Sequence, residues 1–452
     1  NVSAYKVFAL SEECVLSKTL SSLTEVSMNK QSQQTNTPQE LSNAVVVGID
    51  WADTEHVVCV IDQNDRPQIG TLQQSPEAID EWVAELGRRF PGKTIAIALE
   101  QSKGPLIHAL MKYEQLVLYP INPKQLSRYR DAIHPSGGKD DPGDAKLLAR
   151  FLKLHAEQLR PWKPDTAATR KLAAYTEIRR KIVDERKRLT LQLGSTLKQY
   201  FPLMTKLFPR KLPLMLALLK RWPSLAKLKR VHVKTLRRFL KENGIANQQK
   251  QTELIEAVRA AVPLTCDQAI IEPAAVYAQM LAGQIQALSN TIEQLEGDIA
   301  IAVAAHPDNK IFRALPGAGD ALVPRLIAAF GSDRDRYDSA EDIQCYSGIA
   351  PVTRQSGKTR HVSRRHACPK FLKQTFHEFA DHARKWSPWS AAFYNQKRAA
   401  GCKHQAAVRA LAFKWIRIMF KLWKTNSIYN EALYIEQLKK RNSPLVKFIQ
   451  NA

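Results

Sequence analysis

Four carboxylates and one serine in this chain have the types and spacing for phosphoryl transfer. Asp50 closes the valine-rich run VVVGID and Glu100 closes TIAIALE. Two apolar strands would thus each deliver a carboxylate to a sheet edge, where water and a cation can reach it. Asp141 and Asp144 follow in KDDPGDAKLLARF, three apart at a helix start, which puts them on one helix face. Four oxygen donors without His or Cys suit Mg²⁺, with Mn²⁺ as a substitute. Two such ions roughly 4 Å apart activate a nucleophile and stabilise the leaving oxygen. Residue by residue there is a plainer reading, because Asp after a strand is a common turn residue and acids in a first helical turn complement the macrodipole. The joint arrangement is what favours a metal site, with Asp53 and Asp140 as acidic neighbours outside it.

The serine is Ser356, in QSGKTRHVSRR. The following glycine lets the backbone fold closely and leave the hydroxyl exposed, and Arg354, Lys358, Arg360, Arg364 and Arg365 surround it. By its own chemistry this is first a basic loop that grips phosphates. Its second reading is a nucleophile whose pentavalent transition state the cations stabilise.

The elements that must position these groups follow from periodicity. AVVVGIDWA and HVVCVID read as buried strands, and IGTLQQ as a third. SPEAIDEWVAELGRRF reads as a helix with a serine cap and proline at its first position. TIAIALE, GPLIHALMKY and QLVLYPI continue as strand, helix, strand. Hairpin-like strands followed by β-α units predict a mixed sheet flanked by helices, of the ribonuclease H type, over residues 44–160.

Residues 161–305 read as a helical middle. Leu281, Ile285, Leu288, Ile292, Leu295 and Ile299 alternate spacings of four and three, a coiled-coil seam. Leu172, Tyr175, Ile182, Leu189, Leu193 and Leu197 form a matching stripe, leaving open whether the two pair within or between chains. Between them, from Lys206 to Glu242, twelve Lys or Arg stand against one acid. Lys227, Lys229, Arg230, Arg237 and Arg238 are candidate nucleic-acid contacts, with Phe208, Trp222 and Phe239 as interleaved aromatics. Residues 306–425 read as a mostly helical C-terminal domain in which FRALPGAGDALVPRLIAAFG resembles a helix-hairpin-helix element. Residues 1–43 and 426–452 read as tails.

Composition narrows the function class. The 452 residues carry 67 Lys and Arg against 43 Asp and Glu, a net charge of +24, which makes a polyanion the expected partner. The longest apolar run, LPLMLALL, is too short to span a bilayer, so no membrane partner is expected. Six scattered cysteines without CxxC spacing argue for reduced thiols, hence a cytoplasmic protein.

Taken together, GID at 48–50, ALE at 98–100, KDDPGDA at 139–145, LPGAG at 315–319 and YSGIAPVTRQSGK at 346–358 resemble the DEDD insertion-sequence transposases related to the Piv invertase. The resemblance runs in matching order over residues 44–425. It implies a RuvC-like N-terminal domain, a coiled-coil middle and a C-terminal transposase domain. It implies recombination of donor and target DNA guided by a structured noncoding RNA, with Asp50, Glu100, Asp141 and Asp144 as the Mg²⁺ tetrad and Ser356 as the nucleophile. It further implies a homodimer or homotetramer in which tetrad and serine of one composite site come from different protomers. The chain departs from the pattern at VSRRHA after the serine, at Pro142-Gly143 between the last two aspartates, and in its long basic middle.

Overall fold

The computed structural model describes residues 44–100, 103–133, 140–208 and 211–449. The expected N-terminal tail lies outside them. The chain divides into two units, Asn1–Lys163 and Pro164–Ala452.

The first unit is built on a five-stranded sheet. β1 (Val45–Asp50), β2 (Glu55–Ile61) and β3 (Pro67–Gln73) form an antiparallel meander. After α1 (Pro76–Arg89), β4 (Ile95–Leu99) returns parallel to β1. α2 (Pro105–Leu110) then leads to β5 (Leu116–Pro120), parallel to β4, giving the order β3-β2-β1-β4-β5. α3 (Pro123–Ile133) and α4 (Asp141–His155) complete the unit. Strand alternation decides which helix covers which face. Val45, Val47 and Ile49 pack with Ile79, Val83 and Leu106 of α1 and α2. Val46, Ala96 and Ala98 pack with Leu126, Leu148 and Leu152 of α3 and α4. Ser75 caps α1, its Oγ accepting from the Ala78 N–H at 3.2 Å. This mixed sheet with helices on both faces is the ribonuclease H-like arrangement expected from the strand pattern.

The second unit is helical apart from one hairpin. α5 (Ala167–Tyr200) and α11 (Gln268–Ala304) are its longest elements, 34 and 37 residues. They run antiparallel: Thr169 meets His306, Arg179 meets Glu296, and Gln192 meets Tyr277. The two stripes therefore pair within one chain. Leu281, Ile285, Ile292 and Ile299 are buried on one side of the seam, and Leu172, Leu189, Leu193 and Leu197 on the other.

Between them lie α6 (Leu203–Leu207), α7 (Leu212–Arg221), α8 (Leu225–Lys229), α9 (Val233–Glu242) and α10 (Gln248–Ala260). These short helices close one end of the coiled coil in a shared core. The other end enters the C-terminal core. That core gathers α12 (Asn309–Arg313), α13 (Val323–Phe330), α14 (Ala340–Tyr346), α15 (Lys370–Ala383), α16 (Pro388–Ala399) and α17 (His404–Thr425). The hairpin, β6 (Val352–Ser356) with β7 (Thr359–Ser363), falls between α14 and α15. Residues 426–449, expected as a tail, instead form α18 (Glu431–Lys440) and α19 (Leu445–Ile449). Leu445 is buried in the C-terminal core and Tyr429 accepts the Trp389 indole N–H at 2.7 Å. Their apolar residues are spread over two short helices, too few per helix to show a period.

His306 gives the second unit an acid sensitivity. It is buried; its Nδ1 accepts the Asp308 N–H, which leaves Nε2–H to donate to Thr169 Oγ1. Burial lowers its pKa from the ordinary 6.5. Below 6.5 the unfolded chain takes up this proton before the folded chain does, so stability falls as pH drops, by at most about 1.4 kcal/mol per pH unit. Thermal unfolding at pH 7.5 and 5.5 should show a smaller acid loss in His306→Gln than in the wild type. An equal loss would remove His306 from the account.

Candidate active site

Asp50 and Glu100 stand at the same end of neighbouring parallel strands. The last paired positions of β1 and β4 are Ile49 and Leu99, and each carboxylate follows by one residue. The turn after Asp50 is pinned by fully buried His56, a residue that the strand pattern left unremarked. Its Nδ1 accepts the Ala52 N–H at 3.1 Å and its Nε2 faces Gln74 Oε1 at 2.6 Å.

Asp144 reaches the sheet by another route. α4 packs directly on β1 at Gly48, where an added Cβ would come within 2.1 Å of the Ala145 carbonyl oxygen and 2.5 Å of the Ala149 nitrogen. This approach, open only to glycine, puts the first turns of α4 against the strand that carries Asp50. Asp144 is consequently buried, at 5% exposure, and Oδ1 accepts from Arg130 Nη2 at 2.6 Å and Nε at 2.9 Å. Asp141, one turn earlier, is exposed. The i, i+3 spacing gives the pair a common face, but only Asp144 lies far enough along α4 to be covered. Asp140 caps the helix by backbone geometry, and its carboxylate lies where a side chain on Gly143 would otherwise sit.

Among the described residues, no three of His, Cys, Asp and Glu stand close enough to hold a metal ion. The donor set fits a hard divalent cation, while the geometry has Arg130 neutralising Asp144. A cation ligated by Asp144 must share or displace that guanidinium.

Ser356 ends β6, and Gly357 follows at φ +53 in a two-residue connection to β7. The basic stretch is thus a hairpin where a loop was expected, because a left-handed glycine lets the strands reverse at once. Ser356 is exposed. In the register Ser356 opposes Thr359 and Arg354 opposes His361, so these four share one face, while Arg360 lies opposite Gln355 on the other. His361 is the group the sequence reading missed: plain two-residue alternation groups Arg360 with Ser356, and only the two-residue turn at Gly357 and Lys358 brings His361 to the serine's face. Lys358 and Arg364 are exposed, whereas Arg365 turns inward, its Nη2 donating to Cys345 Sγ at 3.6 Å. The Arg365 Nε has no hydrogen-bond partner among the described residues.

In the basic middle, Lys227, Arg230, Arg237 and Arg238 are exposed and Lys229 is half-buried. Their interleaved aromatics are not. Phe208 and Phe239 belong to the core, and half-buried Trp222 meets the Phe239 ring at 5.0 Å. These rings form the apolar side of amphipathic helices, which leaves cations alone to face solvent. No described helix is long and apolar enough to cross a membrane.

Comparison with known proteins joins the two regions. Residues 47–202 match a DEDD transposase family of the IS110 type, and residues 309–395 match the transposase IS116/IS110/IS902 family. The mini-circle putative transposase for IS117 of Streptomyces coelicolor is 30% identical over 87% of this chain and 97% of its own length. The insertion element IS116 uncharacterized 44.8 kDa protein of Streptomyces clavuligerus is 25% identical over 86% and 97%. The insertion element IS900 uncharacterized 42 kDa protein of Mycobacterium paratuberculosis is 23% identical over 87% and 98%. With both ends of the fold matched and a relative aligned over nearly its full length, this chain belongs to the IS110 family of insertion-sequence transposases.

Proposed function

We propose that the chain is an RNA-guided DNA recombinase in which Asp50, Glu100, Asp141 and Asp144 hold Mg²⁺ and Ser356 is the nucleophile. The observation that supports it best is the parallel register of β1 and β4, which sets Asp50 and Glu100 at adjacent strand ends beside the helix that carries Asp144. Bound Mg²⁺ supplies charge neutralisation at the scissile phosphate. The protein's own groups do the rest. Ser356 Oγ attacks phosphorus, a serine–phosphate ester forms as one P–O bond of the DNA backbone breaks, and the serine proton ends on the departing hydroxyl. Arg354 and His361 share the serine's face; the arginine is assigned to offset the added charge and the histidine to relay the proton. The exposed cations of α8 and α9 are assigned to the guide RNA's phosphates, and the active form is a homodimer or homotetramer.

Cognate element DNA with Mg²⁺, run on a denaturing gel, tests the chemistry. A covalent protein–DNA adduct is expected, and free nicks without adduct would replace recombination with hydrolysis. Sequencing the RNA that copurifies from cells carrying the whole element tests the guidance. A discrete structured species is expected, and only bulk cellular RNA would overturn it.

A further inference from the structure

The turn between α12 and α13 lines an open cavity of about 550 Å³, in whose lining Asp50, Glu100, Asp141, Asp144 and Ser356 take no part. This lies in the roughly 300–1,000 Å³ range of small-ligand sites. Gly317 makes the turn at φ +77, and its Cα is so close to Trp386 that a Cβ there would stand 3.0 Å from the indole. Trp386, at the mouth, is 71% exposed, far more than a tryptophan kept for packing. Among the described residues, the backbone N–H groups of Asp320 and Ala321, just ahead of α13, have no backbone acceptor.

One wall carries Arg325, whose presence there is costly. It is 7% exposed and its guanidinium lies 5.4 Å from the Phe371 ring centroid; Nε donates to Thr375 Oγ1 at 3.1 Å and Nη1 to Glu378, while Nη2 has no hydrogen-bond partner among the described residues. A buried guanidinium nitrogen left unbonded calls for an acceptor. Glu378 does not fill that need, since it binds Nη1 and is shared with Arg180 at 3.5 Å; with Asp184 on Arg180 at 3.1 Å, the charges of the cluster balance. Asp320 at the rim is paired with Arg313 at 2.9 Å.

We infer that this cavity binds a single unpaired nucleotide of DNA, with its phosphate at the Asp320–Ala321 amides and the Arg325 guanidinium and its base stacked on Trp386. Two turn amides without a backbone acceptor, just ahead of the helix, together with a buried cation recognise the phosphate. An exposed indole beside a glycine turn takes the flat face of any base, provided that base has left the duplex stack. The choice of DNA over RNA rests on the recombinase reading, since the whole cavity lies within the transposase-family segment 309–395.

The test is equilibrium binding of the full-length protein, freed of nucleic acid, in EDTA. The probes are a DNA duplex with one unpaired 2-aminopurine and the same duplex fully paired. The unpaired probe is expected to bind more tightly, with its fluorescence quenched on Trp386. Trp386→Ala should weaken it roughly tenfold and the paired duplex by less than about twofold, and Trp386→Phe should restore most of the loss. Ala321→Glu, at an exposed position, should weaken the unpaired probe by charge repulsion at the turn. Asp50→Asn and Ser356→Ala should bind like the wild type, so failure of the catalytic reading leaves this readout intact. Unchanged affinity in Trp386→Ala would overturn the inference, as would a loss confined to an RNA bulge of the same sequence.

Discussion

Ser356→Ala is expected to abolish the covalent protein–DNA adduct, with strand transfer down roughly 10³- to 10⁶-fold, while DNA binding and thermal stability stay at wild-type values. Stability should hold because Ser356 is exposed and keeps its strand pairing with Thr359 through the backbone, so the change deletes only a solvated hydroxyl. The size of the effect follows from the proposed mechanism, in which the Ser356 alkoxide forms the protein–phosphate bond. Asp50→Asn should lose the adduct as well, for a different reason, since an amide is a poor ligand for Mg²⁺ and leaves the phosphate charge unneutralised. The pair of variants separates three mechanisms. Nicking that persists in Ser356→Ala but not in Asp50→Asn would establish a metal-dependent nuclease and remove the serine from the chemistry. Adduct that persists in Asp50→Asn would remove the tetrad. Binding without adduct or nick in the wild type would leave a nucleic-acid-binding protein.

How far the residues alone could reach depended on whether a signal was local. The strands were legible because VVVGID and TIAIALE are unbroken apolar runs, but their parallel register is not local in sequence, since β2, β3 and α1 come between them. The a/d stripes predicted two long helices, but their antiparallel pairing needed the cross-contacts of Thr169 with His306 and Arg179 with Glu296, which are not local in sequence. Phe208 and Phe239 were misread because an aromatic among cations looks the same whether it faces a base or a core; amphipathic spacing, applied to α9 alone, points both ways until a neighbouring helix covers one side. Arg130 was invisible for the same reason. Its bond to Asp144 joins α3 to α4 over fourteen positions, and nothing in SRYRDA marks the arginine as the partner of a metal-ligand candidate. The same fact bears on the proposed function: a carboxylate already neutralised by a guanidinium would take a cation only if Arg130 shared it or moved.

Gly48→Ala is expected to be among the most damaging single-atom additions in the chain. The new Cβ would meet main-chain atoms, the Ala145 oxygen at 2.1 Å and the Ala149 nitrogen at 2.5 Å, and no rotamer change relieves a clash with backbone. β1 cannot yield, because it is the central strand and is hydrogen-bonded on both sides, to β2 and β4. α4 must therefore move outward by on the order of 1 Å, at a cost of about 3 kcal/mol or more, which lowers the unfolding midpoint of the first unit by roughly 10 °C. The displaced helix carries Asp144 away from the strand that bears Asp50, and misplacement of that size costs roughly 10²-fold in turnover. Hydrogen exchange should rise in β1 and α4 and stay unchanged in α5 and α11 of the second unit. An unshifted midpoint with wild-type exchange in α4 would show that the close approach at Gly48 is not what seats the helix. Loss of adduct formation in a variant that still folds at the assay temperature would tie the chemistry to the spacing between β1 and α4, independently of any change to the carboxylates.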